Sequence, residues 1–440
     1  MAHSLQKDFA RYVSQNILGM IGLSCYILAD TFFISQGVGA DGLTALNLAI
    51  PIYSFMSGTS LMIGVGGATR YTILRSQGEH ERANVAFTRS VQFALFMAAL
   101  FVLAGFTLPE KLGYLLGGRG NVLQMTTIYL RVELFFAPAL ILNNVLLAFN
   151  RNDGAPGLSM AAMLSASISN IILDWIFIFP WQMGMFGAVL ATGTASVIGL
   201  LVQSGRFIRQ KNAFRLRAVL PSFRAILDIC ALGVSSLIGD LSSGIVMIAF
   251  NAIILSLAGN TGVAAYGVIA NIALVVTAIF SGIVSGAQPL LSSAYGRGQQ
   301  KDLQKLYRMT LGTALVISVV LYILTFFFAS PIAAVFNRDS DPALQQIAID
   351  GLRLYFTAFP MVAVGMMTAA YFSAVEKAVP AFLISICRGF AVILPVTFLM
   401  AALLGMTGVW LAYPVSEMIT AALAVVLYLH IARKERKRCP

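Results

Sequence analysis

Charge is what this sequence has least of. Lys and Arg number 29 and Asp and Glu 18 among 440 residues, or 11%, where a soluble domain carries about 25%. A chain so poor in charge cannot clothe itself for water, which excludes a cytosolic enzyme, a disordered regulator and a secreted disulfide scaffold. Cysteine is scarce too: Cys25, Cys230, Cys387 and Cys439 lie far apart with no CxxC spacing, so neither a disulfide framework nor a zinc site is indicated. The three histidines, His3, His80 and His430, stand alone. No G-x-x-x-x-G-K-S/T occurs, which excludes nucleotide hydrolysis through a P-loop. Any uphill work must come from an ion gradient or a partner chain. What the sequence has instead is apolar bulk, 58% of residues, with 11% aromatic.

That bulk is arranged in runs. A bilayer core needs about 20 mostly apolar residues per helix, and twelve such runs are present. They lie near 13–36, 43–73, 85–108, 123–149, 158–180, 184–205, 226–258, 263–295, 306–330, 346–374, 380–404 and 408–432. Short turns separate them, as in Gly37-Val38-Gly39 and Gly259-Asn260-Thr261-Gly262. No small-residue cleavage site follows the first run, so it is expected to stay in the mature protein. With both termini inside, 24 of the 29 basic residues fall on the inner side, and only Lys111, Arg119, Arg131, Arg338 and Arg353 fall outside. The net charge of +11 therefore reads as topology signal and contact with anionic headgroups rather than as a nucleic-acid surface. A multi-pass protein of the inner (plasma) membrane is expected, with membrane lipids around it.

The chain also matches itself. At an offset of 220, Gly42, Ala45, Ile52, Ile63, Gly66 and Gly78 coincide with Gly262, Ala265, Ile272, Ile283, Gly286 and Gly298. At 221, Gly184-Met185-Phe186-Gly187 pairs with Gly405-Met406-Thr407-Gly408. Six helices per half make the repeats parallel, related by an axis along the membrane normal, one of the repeat types of secondary transporters. The expected fold is an all-α polytopic membrane protein of two six-helix bundles: an N-lobe over 1–205, a basic cytoplasmic linker over 206–225 and a C-lobe over 226–440. The linker's apolar spacing (Phe207, Ile208, Phe214, Leu216, Val219, Leu220) allows an interfacial amphipathic helix.

Carboxylates inside spans are costly and are functional candidates by default. At 1.5 Å per residue, Asp30 sits ~26 Å up the first run, Asp174 ~24 Å up the fifth, and Thr192 ~12 Å below the outer surface. Asn170 precedes Asp174 by four residues and shares its helix face. Tyr26, one turn below Asp30, is placed to donate to it. Two close carboxylates cannot both ionise cheaply, so the group can take up a proton. The same oxygens of Asp30 and Asp174 can instead coordinate Na⁺. In the other half, Asp240 and Glu417 lie at mid-depth, with Arg388 as the partner for either. Glu133 and Arg131, near an outer helix end, read as interfacial. Met361, Met366, Met367, Tyr371 and Phe372 offer an adaptable apolar substrate wall, and Asn143-Asn144 adds a polar cluster to the fourth run.

These residues together resemble multidrug and toxic compound extrusion (MATE) transporters. The likeness covers nearly the whole chain and is strongest over Asn16–Glu81, in Tyr26-Ile-Leu-Ala-Asp30-Thr-Phe-Phe-Ile, Gly37-Val-Gly and Gly64-Val-Gly-Gly. The resemblance implies that Asp30, Asn170, Asp174 and Thr192 form an amino-lobe cation site for H⁺ or Na⁺, with drug bound in or between the lobes. It places Asp240 where another branch has a glutamate, one methylene longer, while that branch's later aspartate has no counterpart. Many members have a proline early in the first helix; this chain has Gln15 nearby and no proline there. The function implied is a cation-coupled antiporter exporting amphipathic or cationic organic compounds. It would work as a monomer, without cofactor or nucleic acid. The alternative is a lipid-linked precursor flippase of the same architecture, which should line its crevice with Arg or Lys. A membrane-embedded enzyme would need clustered His, Asp, Glu or Cys at one face, and a receptor would not need the repeat.

Overall fold

A computed structural model describes residues 2–337 and 341–436. Arg338, Lys437, Arg438 and Cys439, counted above, lie outside the described residues. Among those described there is helix and no strand. The spans in chain order are α1 (Ala2–Gly37), α2 (Ala40–Ser76), α3 (His80–Thr107) and α4, a bent pair (Gly120–Phe135 and Ala137–Asn152). Then come α5 (Pro156–Ile178) and α6 (Gly184–Ile208), followed by α7 (223–258), α8 (260–296) and α9 (Gln300–Phe327). The last are α10 (Pro342–Ala374), α11 (378–404) and α12 (406–436).

Hydrogen bonding alone runs α7 into α8 and α11 into α12. A continuous 74-residue helix would be ~111 Å long, more than three bilayer cores. Gly259 (φ 60, ψ −156) and Gly405 (φ 60, ψ −136) break the two runs, in backbone conformations that only glycine adopts at little cost. Nine helices among the described residues are long and apolar enough to cross a membrane, ten with the bent pair as one span; taking each side of the two glycine breaks separately divides them into the twelve segments named above. The 52° bend of α4 falls where Pro138 opens the second segment, and a π-turn at Cys387–Ala391 interrupts α11.

The repeat is visible in the backbone. Positive-φ glycines recur at the repeat offset: Gly39 with Gly259, Gly78 with Gly298, and Gly184 with Gly405. The lobes meet along two related seams. Gly66 of α2 presses on the Ile229 carbonyl of α7, and its counterpart Gly286 of α8 presses on Val13 of α1, where a methyl group would lie 2.7 Å from Cα. Gly282 abuts Ile17 in the same way, and Gly233 abuts Met62. No side chain fits between these backbones. Toward the ends that carry the basic loops, here termed the basic face, Arg70 pairs with Glu376 and Gln288 donates to Thr69 Oγ1 at 2.5 Å, both across the lobes. The seam is closed there.

The linker is not the amphipathic helix its spacing allows. Residues 211–222 are non-helical and strapped along α3. Arg215 N–H donates to Asn84 Oδ1 at 2.9 Å, Arg217 N–H to Thr88 Oγ1 at 3.0 Å, and Gln92 Nε2 to the Val219 carbonyl at 2.8 Å. Phe214 is buried against Phe87, Phe149 and Tyr71, with ring centroids 4.5, 5.9 and 6.1 Å away. Asp153 anchors the near end, accepting from Tyr71, Arg75, Arg206 and the Ala213 N–H. Bonds from α3 satisfy the strap's backbone, which removes the drive to form a helix.

Candidate functional site

The half of the N-lobe away from the basic face holds the acids predicted to meet. Asn170 and Asp174 project from one face of α5 and are fully buried; Asp30 of α1, 7% exposed, faces them. The carboxyl groups of Asp30 and Asp174 adjoin each other, and because a carboxylate only accepts, a hydrogen bond between them needs a proton on one of the two. A carboxylate only accepts, so the Asn170 amide is oriented with its nitrogen donating to Asp174 Oδ2 at 3.0 Å. Its oxygen then accepts from Thr192 Oγ1 at 3.3 Å and Thr192 N–H at 3.2 Å. Thr192 of α6 thus completes a contact among three helices. One oxygen of each aspartate, Oδ1 in both, has no hydrogen-bond partner. No Lys, Arg or His among the described residues pairs with either acid.

Two expectations about the surroundings need correction. The Tyr26 hydroxyl does not bond Asp30; it lies 3.4 Å from the Tyr53 hydroxyl of α2. Glu133 is not interfacial. It is 4% exposed, both of its oxygens lack partners, and it is close enough to Asp30 to interact electrostatically. Tyr129, one turn before it, is buried beside the same acids. Arg131 does point outward. Glu133 was legible in part: counted from Gly120 it lies ~20 Å along α4, well inside the span and not at its end. Among the described residues no set of three acids, His or Cys is arranged to hold a metal ion, so Glu133 adjoins the Asp30–Asp174 pair without sharing a ligand shell with it.

In the C-lobe, Arg388 takes Glu417 and not Asp240. The π-turn presents Arg388 Nε to Glu417 Oε1 at 2.8 Å, and Arg388 also bonds Tyr413. Tyr355 stacks on Tyr413 at 4.3 Å. A buried ion pair walled by aromatics is held on all sides. Asp240 faces the other lobe, bonding Ser57 and lying against Gly58 of α2.

The expected substrate wall is not assembled. Tyr371, Met367 and Phe372 are buried in C-lobe packing, Tyr371 between Tyr307 and Tyr428. Met366 packs half-buried on that core, while Met361 is 36% exposed. Asn143 accepts from Gln203 Nε2 at 2.7 Å, and Asn144 donates to Ser60 Oγ at 2.7 Å. Both amides fasten helices within the N-lobe.

Comparison with known proteins agrees with this architecture. The multidrug export protein MepA of Staphylococcus saprophyticus is 26% identical over 432 residues, 98% of this chain and 94% of its own length. MepA of Staphylococcus aureus is 26% identical over 421 residues, 95% and 92% of the two chains. Among solved structures, an outward-facing multidrug resistance MATE transporter of the MOP superfamily superposes with a TM-score of 0.92, at 23% identity over 98% of this chain and 97% of that one. A MOP superfamily transporter from Pyrococcus furiosus, described as having a binding pocket of reversed polarity, gives 0.90 at 23% over 97% and 96%. The MatE family profile matches twice, at residues 16–176 and 237–399. The two starts lie 221 apart, the spacing of the internal repeat. On that double match the chain belongs to the MatE family.

Proposed function

We propose that this chain is a cation-coupled antiporter that exports amphipathic or cationic organic compounds by alternating access between its lobes. It sits in the plasma membrane as a monomer, with the basic face and both termini in the cytoplasm. The relatives' description as multidrug export proteins supports the cargo class. The observation that carries the coupling is the Asp30–Asp174 contact, in an enclosure with no base to neutralise it. Such a pair stores a vacancy for one positive charge. H⁺ fits as the bridging proton; Na⁺ fits the free Oδ1 atoms together with the Asn170 and Thr192 oxygens.

A cation arriving from outside relieves the repulsion between the aspartates and so favours the lobe arrangement that holds them together. Drug prefers the opposite arrangement, and that difference in preference is all that exchange requires. The closed glycine seams on the basic face fit the outward-open member of the pair. A flippase for charged headgroups is disfavoured, because the arginine deep in the spans, Arg388, is already held by Glu417. The test is uphill efflux of a fluorescent cationic dye from proteoliposomes under separately imposed pH and Na⁺ gradients. Asp30→Asn should abolish accumulation against a gradient, and wild-type uphill rates in that variant would refute the carboxylate role.

A further inference from the structure

Far from the acids, on the basic face, the sequence sets Arg70 near the end of α2, Arg82 and Arg89 in the first turns of α3, and Arg224 in the first turn of α7. The fold gathers all four around one cavity of about 360 Å³, together with Ser222 and Asp228. That volume lies in the range of small-ligand sites. Two of the guanidiniums are spoken for: Arg70 by Glu376 and Arg82 by Glu79 at 2.5 Å. Arg89 and Arg224 form no ion pair among the described residues, and Arg89 Nε is buried without any acceptor. Asp228, one turn beyond Arg224, is the acid on the wall.

The N-terminus of α7 opens at the same place. Its N-cap Ser222 makes no side-chain capping bond, so first-turn N–H groups are left uncapped at a helix end that lines the cavity through Ser222 and Arg224. Free guanidinium donors beside a helix N-terminus are the recognition chemistry of a phosphate oxyanion. The rim points to where that phosphate comes from. Leu220, Phe223 and Leu227 are 85%, 75% and 51% exposed beside the cavity, a greasy fringe at the ends of membrane helices that suits acyl chains.

We propose that this cavity binds the phosphate of an anionic lipid from the leaflet at the basic face. The headgroup would sit between α2 and α3 of one lobe and α7 of the other, supplying the negative charge that Arg89 and Arg224 lack. The shared chemistry is a phosphate oxyanion, and the experiment separates lipid from free anion.

Native mass spectrometry of the purified full chain, with phosphatidylglycerol or phosphatidylcholine added to the detergent, reads the site directly. Wild type should retain phosphatidylglycerol in preference. Arg89→Gln and Arg224→Gln should each weaken retention about fivefold, and the double variant about thirtyfold. Asp228→Asn should strengthen it about fivefold, a gain that misfolding cannot produce, and Arg297→Gln, outside the cavity, should change nothing. Inorganic phosphate in millimolar excess should compete. If phosphate binds in an Arg89- and Arg224-dependent way while the two lipids are retained alike, the oxyanion site stands with a soluble occupant. Equal phosphatidylglycerol retention by wild type and the double variant, with no effect of phosphate, overturns it.

Discussion

Glu133 keeps two oxygens that meet no donor inside a span. An unsatisfied buried polar group costs about 1–3 kcal/mol, so Glu133→Met, which removes both oxygens at similar volume, should raise thermal stability in detergent, measured by the midpoint of a fluorescence melt. If the residue belongs to the cation site, the same variant should export dye less well. Stability gained with transport lost is the pattern of a residue kept for activity. Asn170 is the converse. Removing its amide strands Asp174 Oδ2, and Asn170→Ala should lower the melt by a similar amount. At this scale the sequence was informative wherever helix spacing and depth were enough: Asn170 and Asp174 share a face by the i,i+4 rule, and Asp30 and Thr192 match them in height. It was silent on side-chain direction. Tyr26 sits one turn from Asp30, yet its hydroxyl turns to Tyr53 of α2, a side-chain direction that spacing along α1 does not determine.

Whole elements divide in the same way. Apolar runs located the helices, most ends to within about six residues, because a bilayer imposes length and polarity locally; the exception is the start of α1, which lies eleven residues before its run. The linker was not legible, because its conformation depends on acceptors in α3 more than a hundred residues away. Phe214 is its anchor. Phe214→Ala should cost about 3–5 kcal/mol and expose the strap, with limited proteolysis between Arg206 and Phe223 accelerating accordingly. The seams make a second prediction. Gly66 touches backbone of α7, so Gly66→Leu should hold the basic face apart. A disulfide between Ser76→Cys and Gly296→Cys, which abut at the seam, should form readily in the parent and poorly with Gly66→Leu. Unchanged cross-linking would show that the seam yields without opening.

Across the whole molecule, four left-handed turns recur in both halves, and one of them carries glycine in only one half. Gly154, with φ 84, corresponds at an offset of 222 to Glu376, with φ 58. A non-glycine there costs roughly 1–2 kcal/mol, and Glu376 is the residue that pairs with Arg70 across the lobes. The second half thus gives up backbone ease for a tie to the first. The placement of Asp30 and Asp174 has a further consequence. They are enclosed within the low-dielectric slab, ~26 and ~24 Å above the starts of their runs, so a cation seated there is displaced through the remaining electrical drop when it leaves inward. A full crossing is worth about 2.3 kcal/mol per elementary charge per 100 mV. Proteoliposomes clamped inside-negative with potassium and valinomycin, with no chemical gradient imposed, should therefore still drive a dye of no net charge outward, and reversing the clamp should stall it; with a monovalent cationic dye one charge leaves for each that enters, and a one-for-one exchange should ignore the clamp. The pump would then respond to voltage as well as to concentration.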